Sequence, residues 1–259
     1  MITVPAPLLD ILGTGLWSFA LLFVRVSAVV SLLPAFGERV VSVRVKLGLA
    51  LVLSITVAPL APAPALDPLA GLADLAEVIL AETLVGLALG LGVRLFILAL
   101  QTAGSMAAQA TSLSQLLGAA GIDPSPALGH VLVVSGLALA VTLGLHVRTA
   151  EMLVLSFDLF PQGEWLDASD LADWGVAQTS RAFGLAFTLA APFVIASVLY
   201  NLALGVINRA MPQLMVAFVG APAITMGGLF LLFAAAPLML AVWVKALNAF
   251  LASPLSQIP

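Results

Sequence analysis

The chain has 259 residues, 62% of them hydrophobic and only 8% charged, with a mean hydropathy of +1.19 and a net charge of −4. A soluble domain carries about 25% charged residues, so this chain cannot cover a water-facing surface and reads as an integral membrane protein. A sequence pI near 4.9 argues against a nucleic-acid partner, and the absence of cysteine excludes disulfides and thiol ligands.

The apolar runs exceed the ~10 residues of a membrane barrel strand, so the expected spans are helices. The fold class is all-α: a polytopic helical membrane protein with six hydrophobic segments, bent helices and helical hairpins. The first segment covers about residues 11–33. The start "MITVPAPLLD" lacks a basic stretch, so no cleaved signal peptide is read and this segment is expected to remain as an anchor. Arg25, near its middle, is a candidate buried polar contact. It either bonds to neighbouring carbonyls or lines an aqueous route.

A second segment, about residues 47–66, carries no charge. The third, about residues 78–100, holds Glu82 and Arg94. Glu82, Gly86, Gly90 and Arg94 follow at i+4 spacing and share one face. Glu82 and Arg94 lie ~18 Å apart along a helix, too far to pair. The glycines between them leave a flat strip where another helix can approach closely. Glu82, Gly86 and Gly90 are therefore candidates for packing against another subunit or within this chain.

Residues 105–126 are expected to form a loop, long for a compact bundle. It holds one charge, Asp123, and water is a poor environment for Leu113, Leu116 and Leu117. The fourth segment, about residues 127–147, has His130 and His146 near its ends. Their separation exceeds four helical turns, so they cannot share a metal within one helix. The fifth, about residues 182–207, includes Pro192, which is expected to kink it. Asn201 and Asn208 stand two turns apart with Gly205 between them. "NRAMPQLMVAF" then interrupts the apolar sequence, and Pro212 disfavours helix at Met211. The sixth segment, about residues 214–244, would measure ~46 Å as a straight helix against a ~30 Å crossing. Gly220, Pro222, Gly227, Gly228 and Pro237 offer places to bend it, as a kinked helix or a hairpin.

The connections sort by charge. "GERVVSVRVK" has Arg39, Arg44 and Lys46 against Glu38; "DPLAGLADLAE" has three acids and no base; "DLFPQGEWLDASDLADW" has five acids and no base. The positive-inside rule places the first and fifth connections in the cytoplasm and both termini outside. No catalytic set emerges. There is no H-E-x-x-H, "GLALGLGVRLF" matches no phosphate loop, and the only lysines, Lys46 and Lys245, stand near span ends. Neither an enzyme nor a cofactor or metal is expected.

The interrupting motif carries a resemblance. "NRAMPQLMVAFVGAP" resembles the R-x-x-P-Q-x-x-x-F-x-x-G-x-P pattern of the FliR family of flagellar export-gate proteins, which has an injectisome counterpart. "FVRVSAVVSLLPAFGERVVSVRVKLGLAL" is similar to the family's R…P-x-F-G…V-x-V-R-x-x-L-A block. "ETLVGLALG" resembles its E-x-x-x-G-x-x-x-G. "AGSMAAQ" and "DP" match the ends of its central loop, and "DLFPQG" its D-x-x-P-x-G connection. Six motifs in order cover nearly the whole chain. One departure is that "TSLSQLLGAAGIDPSP" lacks the phenylalanines frequent in the family's central loop.

The resemblance implies a core subunit of a type III protein export gate in the bacterial inner membrane at the flagellar basal body. Its implied partners are FliP- and FliQ-like membrane subunits, FlhB- and FlhA-like components, unfolded exported proteins and the lipid bilayer. It implies a FliP-like part at residues 1–157 and a FliQ-like hairpin at 176–252. In assembled members of the family the helices are raised and partly periplasmic, so a simple six-span topology is not required. The central loop is implied to plug the pore, here through Met106, Leu113, Leu116 and Leu117. Asn201, Arg209, Pro212 and Gln213 are implied subunit contacts around the last turn. The alternatives are an injectisome counterpart, a secondary transporter, or a structural scaffold of another transport complex. A transporter would suit the broken helices, but no inverted repeat is visible and Glu82 is the only acid within a span.

Overall fold

The computed structural model describes residues 6–38, 40–62, 72–112, 127–165, 167–211 and 216–254. Every regular element among them is a helix: α1 (Ala6–Leu32), α2 (Val43–Val57) with a single 3₁₀ turn after it (Ala58–Leu60), α3 (Leu72–Ser112), α4 (Ala127–Thr142), α5 (Leu145–Leu159), α6 (Ala168–Ala210) and α7 (Val216–Ala252). Five are long and apolar enough to cross a membrane, and α4 with α5 makes a sixth if the bent pair counts as one span. The protein is a multi-pass helical membrane protein.

The helices outrun the apolar segments that announce them. α3 continues to Ser112, so residues 105–112, expected in a loop, are helical. α6 begins at Ala168, inside the acidic connection, and runs through Pro192 without interruption. α7 is likewise one uninterrupted helix through Gly227, Gly228 and Pro237, not a hairpin. Polar side chains do not break these helices because hydroxyls find a carbonyl four residues back. Ser54 Oγ donates to Ala50 O, Thr83 Oγ1 to Ile79 O, Ser105 Oγ to Gln101 O and Thr188 Oγ1 to Gly184 O, all at 2.7–2.9 Å. In lipid, where water cannot accept those bonds, this local route matters more than in a soluble helix.

The fourth apolar segment breaks sharply. Gly144 adopts φ +83°, a left-handed conformation open to glycine, and α4 and α5 meet there at 71°. The turn after α1 also holds a left-handed residue, but a non-glycine one: Ala35 has φ +67°. The turn closes when the Gly37 amide donates to Leu33 O at 2.6 Å and Lys46 Nζ donates to Gly37 O at 2.8 Å. A Cβ on Gly37 would lie 2.6 Å from Ser31 O, so only glycine fits.

The chain divides into two compact units, one of residues 1–94, 141–178 and 247–259, the other of residues 95–140 and 179–246. The core of the first includes Leu21, Val26, Val29, Val85, Leu89, Val93, Met152 and Leu153. In its C-terminal part, Trp174 Nε1 donates to Pro254 O at 3.0 Å. The second is centred on Leu100, Ala103, Leu132, Leu189, Phe193 and Trp243. There Trp243 Nε1 donates to Phe96 O at 2.8 Å, and Gly104 crosses Gly129 almost backbone to backbone.

Candidate functional site

In the first unit, α1 lies along the glycine strip of α3. A Cβ added to Gly86 would stand 2.5 Å from Arg25 O and 2.7 Å from Ala28 Cβ; one added to Gly90 would stand 3.0 Å from Leu32 Cβ and 3.1 Å from Val29 O. The close approach that Glu82, Gly86 and Gly90 allow is thus made by α1 of the same chain. Arg25 meets Glu82, Ala28 meets Gly86 and Leu32 meets Gly90. The order ascends along both helices, so α1 and α3 run parallel.

One turn before Gly86, the strip ends in charge. Arg25 and Glu82 are 0% and 1% exposed, with Arg25 Nε donating to Glu82 Oε2 at 2.6 Å and Nη2 to Oε1 at 3.0 Å. This is the two-pronged geometry that suits a guanidinium and a carboxylate. Removing both ions from water costs several kcal/mol each, so the rest of their bonding capacity must be filled. It is filled by α5 and the turn after it. Arg25 Nη1 donates to Ser156 Oγ at 3.2 Å and Ser156 O at 3.4 Å, and Nη2 to Phe160 O at 3.0 Å. The Gly163 amide donates to Glu82 Oε1 at 3.0 Å. The Phe157 ring lies 4.2 Å from the guanidinium carbon, within cation–π range. Gly163, at φ +85°, lets the turn present its amide inward.

The same turn buries an amide. The Gln162 side chain is 3% exposed and neither amide atom has a hydrogen-bond partner. Arg94, the other charge on the strip, pairs with Glu38 at 3.6 Å, half-exposed. Ser156 and Phe157 were not singled out by sequence reasoning, and Phe160 and Gly163 only as members of the "DLFPQG" motif, which does not say what its backbone faces.

The remaining candidates lie elsewhere. Met106, expected on a loop, is on α3 and half-buried. Leu113, Leu116, Leu117, Pro212 and Gln213 fall outside the described residues. Arg209 is exposed in the last turn of α6, where a cation suits the negative end of the helix dipole. Asn201 Nδ2 donates to Ser197 Oγ at 3.2 Å, and Ser197 Oγ donates to Ala110 O at 2.7 Å. The second unit thereby fastens the last turn of α3. Beside Ser197 opens a cavity of ≈ 220 Å³ lined by Phe193, Tyr200, Ile224, Gly227 and Phe230. Among the described residues, no three His, Asp or Glu side chains gather as metal ligands.

These features align with a known family. The family described as bacterial export proteins, family 1, matches residues 16–250. The chain is similar to the flagellar biosynthetic protein FliR of Caulobacter vibrioides, 33% identical over 215 residues that make up 82% of this chain and 86% of that one. It is similar to the Escherichia coli protein of the same description, 31% identical over 224 residues (83% and 82%), and to that of Bacillus subtilis, 30% identical over 213 residues (79% and 80%).

Proposed function

Because the chain belongs to the family of bacterial export proteins, family 1, we propose that it is a membrane subunit of the flagellar protein-export apparatus. The observation that carries this reading is the extent of the match. Residues 16–250 reach from the first span to the last turns of α7, and relatives from three bacteria over most of their length are FliR proteins. Those names favour the flagellum over an injectisome.

The protein's place is the bacterial inner membrane at the flagellar basal body. It helps form the channel for unfolded export substrates, together with FliP- and FliQ-like subunits and FlhB- and FlhA-like components. Residues 1–157 form the FliP-like part and 176–252 the FliQ-like hairpin. Exposed apolar side chains support co-assembly. Phe183, Phe187, Phe230 and Phe233 are 60–82% exposed on the isolated chain, as expected of surfaces that meet lipid or a neighbouring subunit. Arg209, Pro212, Gln213 and Asn201 contact neighbouring subunits. Met106, Leu113, Leu116 and Leu117 narrow the channel at rest, since apolar constrictions exclude ions by dewetting.

Deleting the gene should abolish motility and secretion of filament subunits, and the wild-type chain should restore both. In mild detergent the tagged chain should purify with FliP- and FliQ-like subunits. A motile, fully secreting deletion strain, or a chain that purifies alone and moves small solutes, would sink the reading in favour of a transporter.

A further inference from the structure

A glycine strip permits close approach but does not say where along it the partner helix should stop. Gly86 and Gly90 repeat every four residues, and α1 offers small or aliphatic side chains to them, with Ala28 and Leu32 one turn apart. Sliding α1 along α3 by one turn, ~5.4 Å, would bring Ala28 opposite Gly90, a small side chain against the same kind of gap it fills at Gly86. What such a slip cannot keep is the bond between Arg25 and Glu82, one turn before Gly86 and fully buried.

The same two side chains hold the 160–163 turn. Ser156 O, Phe160 O and the Gly163 amide bond to whichever charge of the pair is complementary: carbonyls to Arg25, the amide to Glu82. These three groups come from a part of the chain more than 70 residues beyond Glu82. All three are satisfied here by Arg25 and Glu82 standing side by side.

We propose that the Arg25–Glu82 pair is a register lock: it selects, among the alignments that the glycine strip allows, the one in which the turn after α5 closes on the α1–α3 pair. Buried ion pairs add little net stability over apolar side chains of the same volume, but they penalise every arrangement that separates them. The pair thus enforces a unique alignment in helices whose apolar faces do not.

The absence of native cysteine makes the alignment directly measurable. Leu32→Cys with Gly90→Cys reports the native register, because a Cβ at Gly90 faces Leu32 Cβ directly, at 3.0 Å, and the helices need part only by about half an ångström to reach the roughly 3.5–4.5 Å at which disulfides form. Ala28→Cys with Gly90→Cys reports the slipped one. Both pairs are oxidised in native membranes with the partner subunits co-expressed. With Arg25 and Glu82 present, only the 32/90 product is expected. In Arg25→Met/Glu82→Leu, which removes both charges at similar volume, the 32/90 product should lose its exclusivity and the 28/90 product should appear. A second variant reads the clamp without altering the charge: Arg25→Lys keeps the cation for Glu82 but lacks the planar fork. It should keep the 32/90 product while amide hydrogen exchange at Gly163 accelerates. Exclusive 32/90 crosslinking in the apolar double variant, or unchanged exchange at Gly163 in Arg25→Lys, overturns the proposal.

Discussion

Two helix pairs in this chain solve the membrane in opposite ways. Half of the apolar span of α3 is buried within the chain and 39% of that of α1, against 28% for α6 and 22% for α7. α1 and α3 bury a full ion pair and answer every prong of it internally. α6 and α7 bury little charge and turn phenylalanines outward, with Phe230 and Phe233 at 73% and 82% exposure. Lipid tails are as apolar as leucine, so helices in a membrane are held by close packing and polar bonds rather than by hydrophobic burial. The first pair holds itself by both means. The second leaves large apolar side chains uncovered by the chain itself.

The largest effect should come from removing half of the ion pair. Arg25→Ala or Glu82→Ala leaves the other charge buried and unpaired, at a cost of about 3–5 kcal/mol. Little folded protein should be recovered from detergent, as fluorescence-detected size exclusion would show. If Arg25→Ala were recovered at wild-type yield, α1 and α3 would not depend on their buried charge.

Glycine substitutions should then give opposite signs in the two pairs. Gly86→Ala drives a Cβ to 2.5 Å from a backbone oxygen, and Gly86→Leu drives in more; each should destabilise by roughly 1–3 kcal/mol. Gly184, Gly205 and Gly227 on α6 and α7 face open space. Alanine there should be neutral or stabilise by up to about 1 kcal/mol, because glycine is a poor helix former. Melting temperatures in detergent decide this. The α3–α4 crossing has its own asymmetry. Gly104→Ala meets the Gly129 backbone, whereas Gly129→Ala finds only ordinary contacts near 3.5 Å, so only the first should reduce the melting temperature.

A smaller gain is expected in the turn after α1. Ala35 holds φ +67°, a conformation that costs an L-residue ~1–2 kcal/mol. Ala35→Gly should stabilise by at most about 1 kcal/mol, since glycine loses more backbone freedom on folding. The smallest effect concerns Asp167, which caps α6 through Ser169. Its carboxylate accepts the Ser169 hydroxyl at 2.6 Å and amide at 2.7 Å, and the hydroxyl bond foremost lowers its pKa below the ordinary carboxylate value. A depressed folded pKa means that the cap is fully present above the ordinary value, ~3.9, and is lost as pH falls through the folded one. A protection factor at Ser169, taken against the intrinsic exchange rate at each pH, that falls on acidification and is already low in Asp167→Ala would show it.

Much of this was legible along the chain, and what was not has a physical cause. Helical class, six apolar segments and the i+4 glycine strip are properties of local composition and period. Arg25 and Glu82 each stood out as intramembrane charges. Their pairing did not, because periodicity says which residues share a face, not which face of another helix, 57 residues away, meets it. Helix ends were misplaced wherever polarity was mistaken for a boundary. Gln101 and Ser105 lower hydropathy, yet Ser105 bonds back to the Gln101 carbonyl and α3 continues. The reverse occurred at Gly144, where unbroken hydropathy hid a 71° bend. The 160–163 turn was visible as a motif but not as an anchor, since its contacts are backbone groups with no residue-type signature.

Hydrogen–deuterium exchange on the purified chain alone and on the chain assembled with FliP- and FliQ-like subunits tests most directly whether one helix pair is self-sufficient and the other is completed by partners. Residues 21–33 and 82–93 should be equally protected in both samples, and the gain on assembly should fall on α6 and α7. Protection gained around Arg25 and Glu82, with none on α6 and α7, would contradict that division.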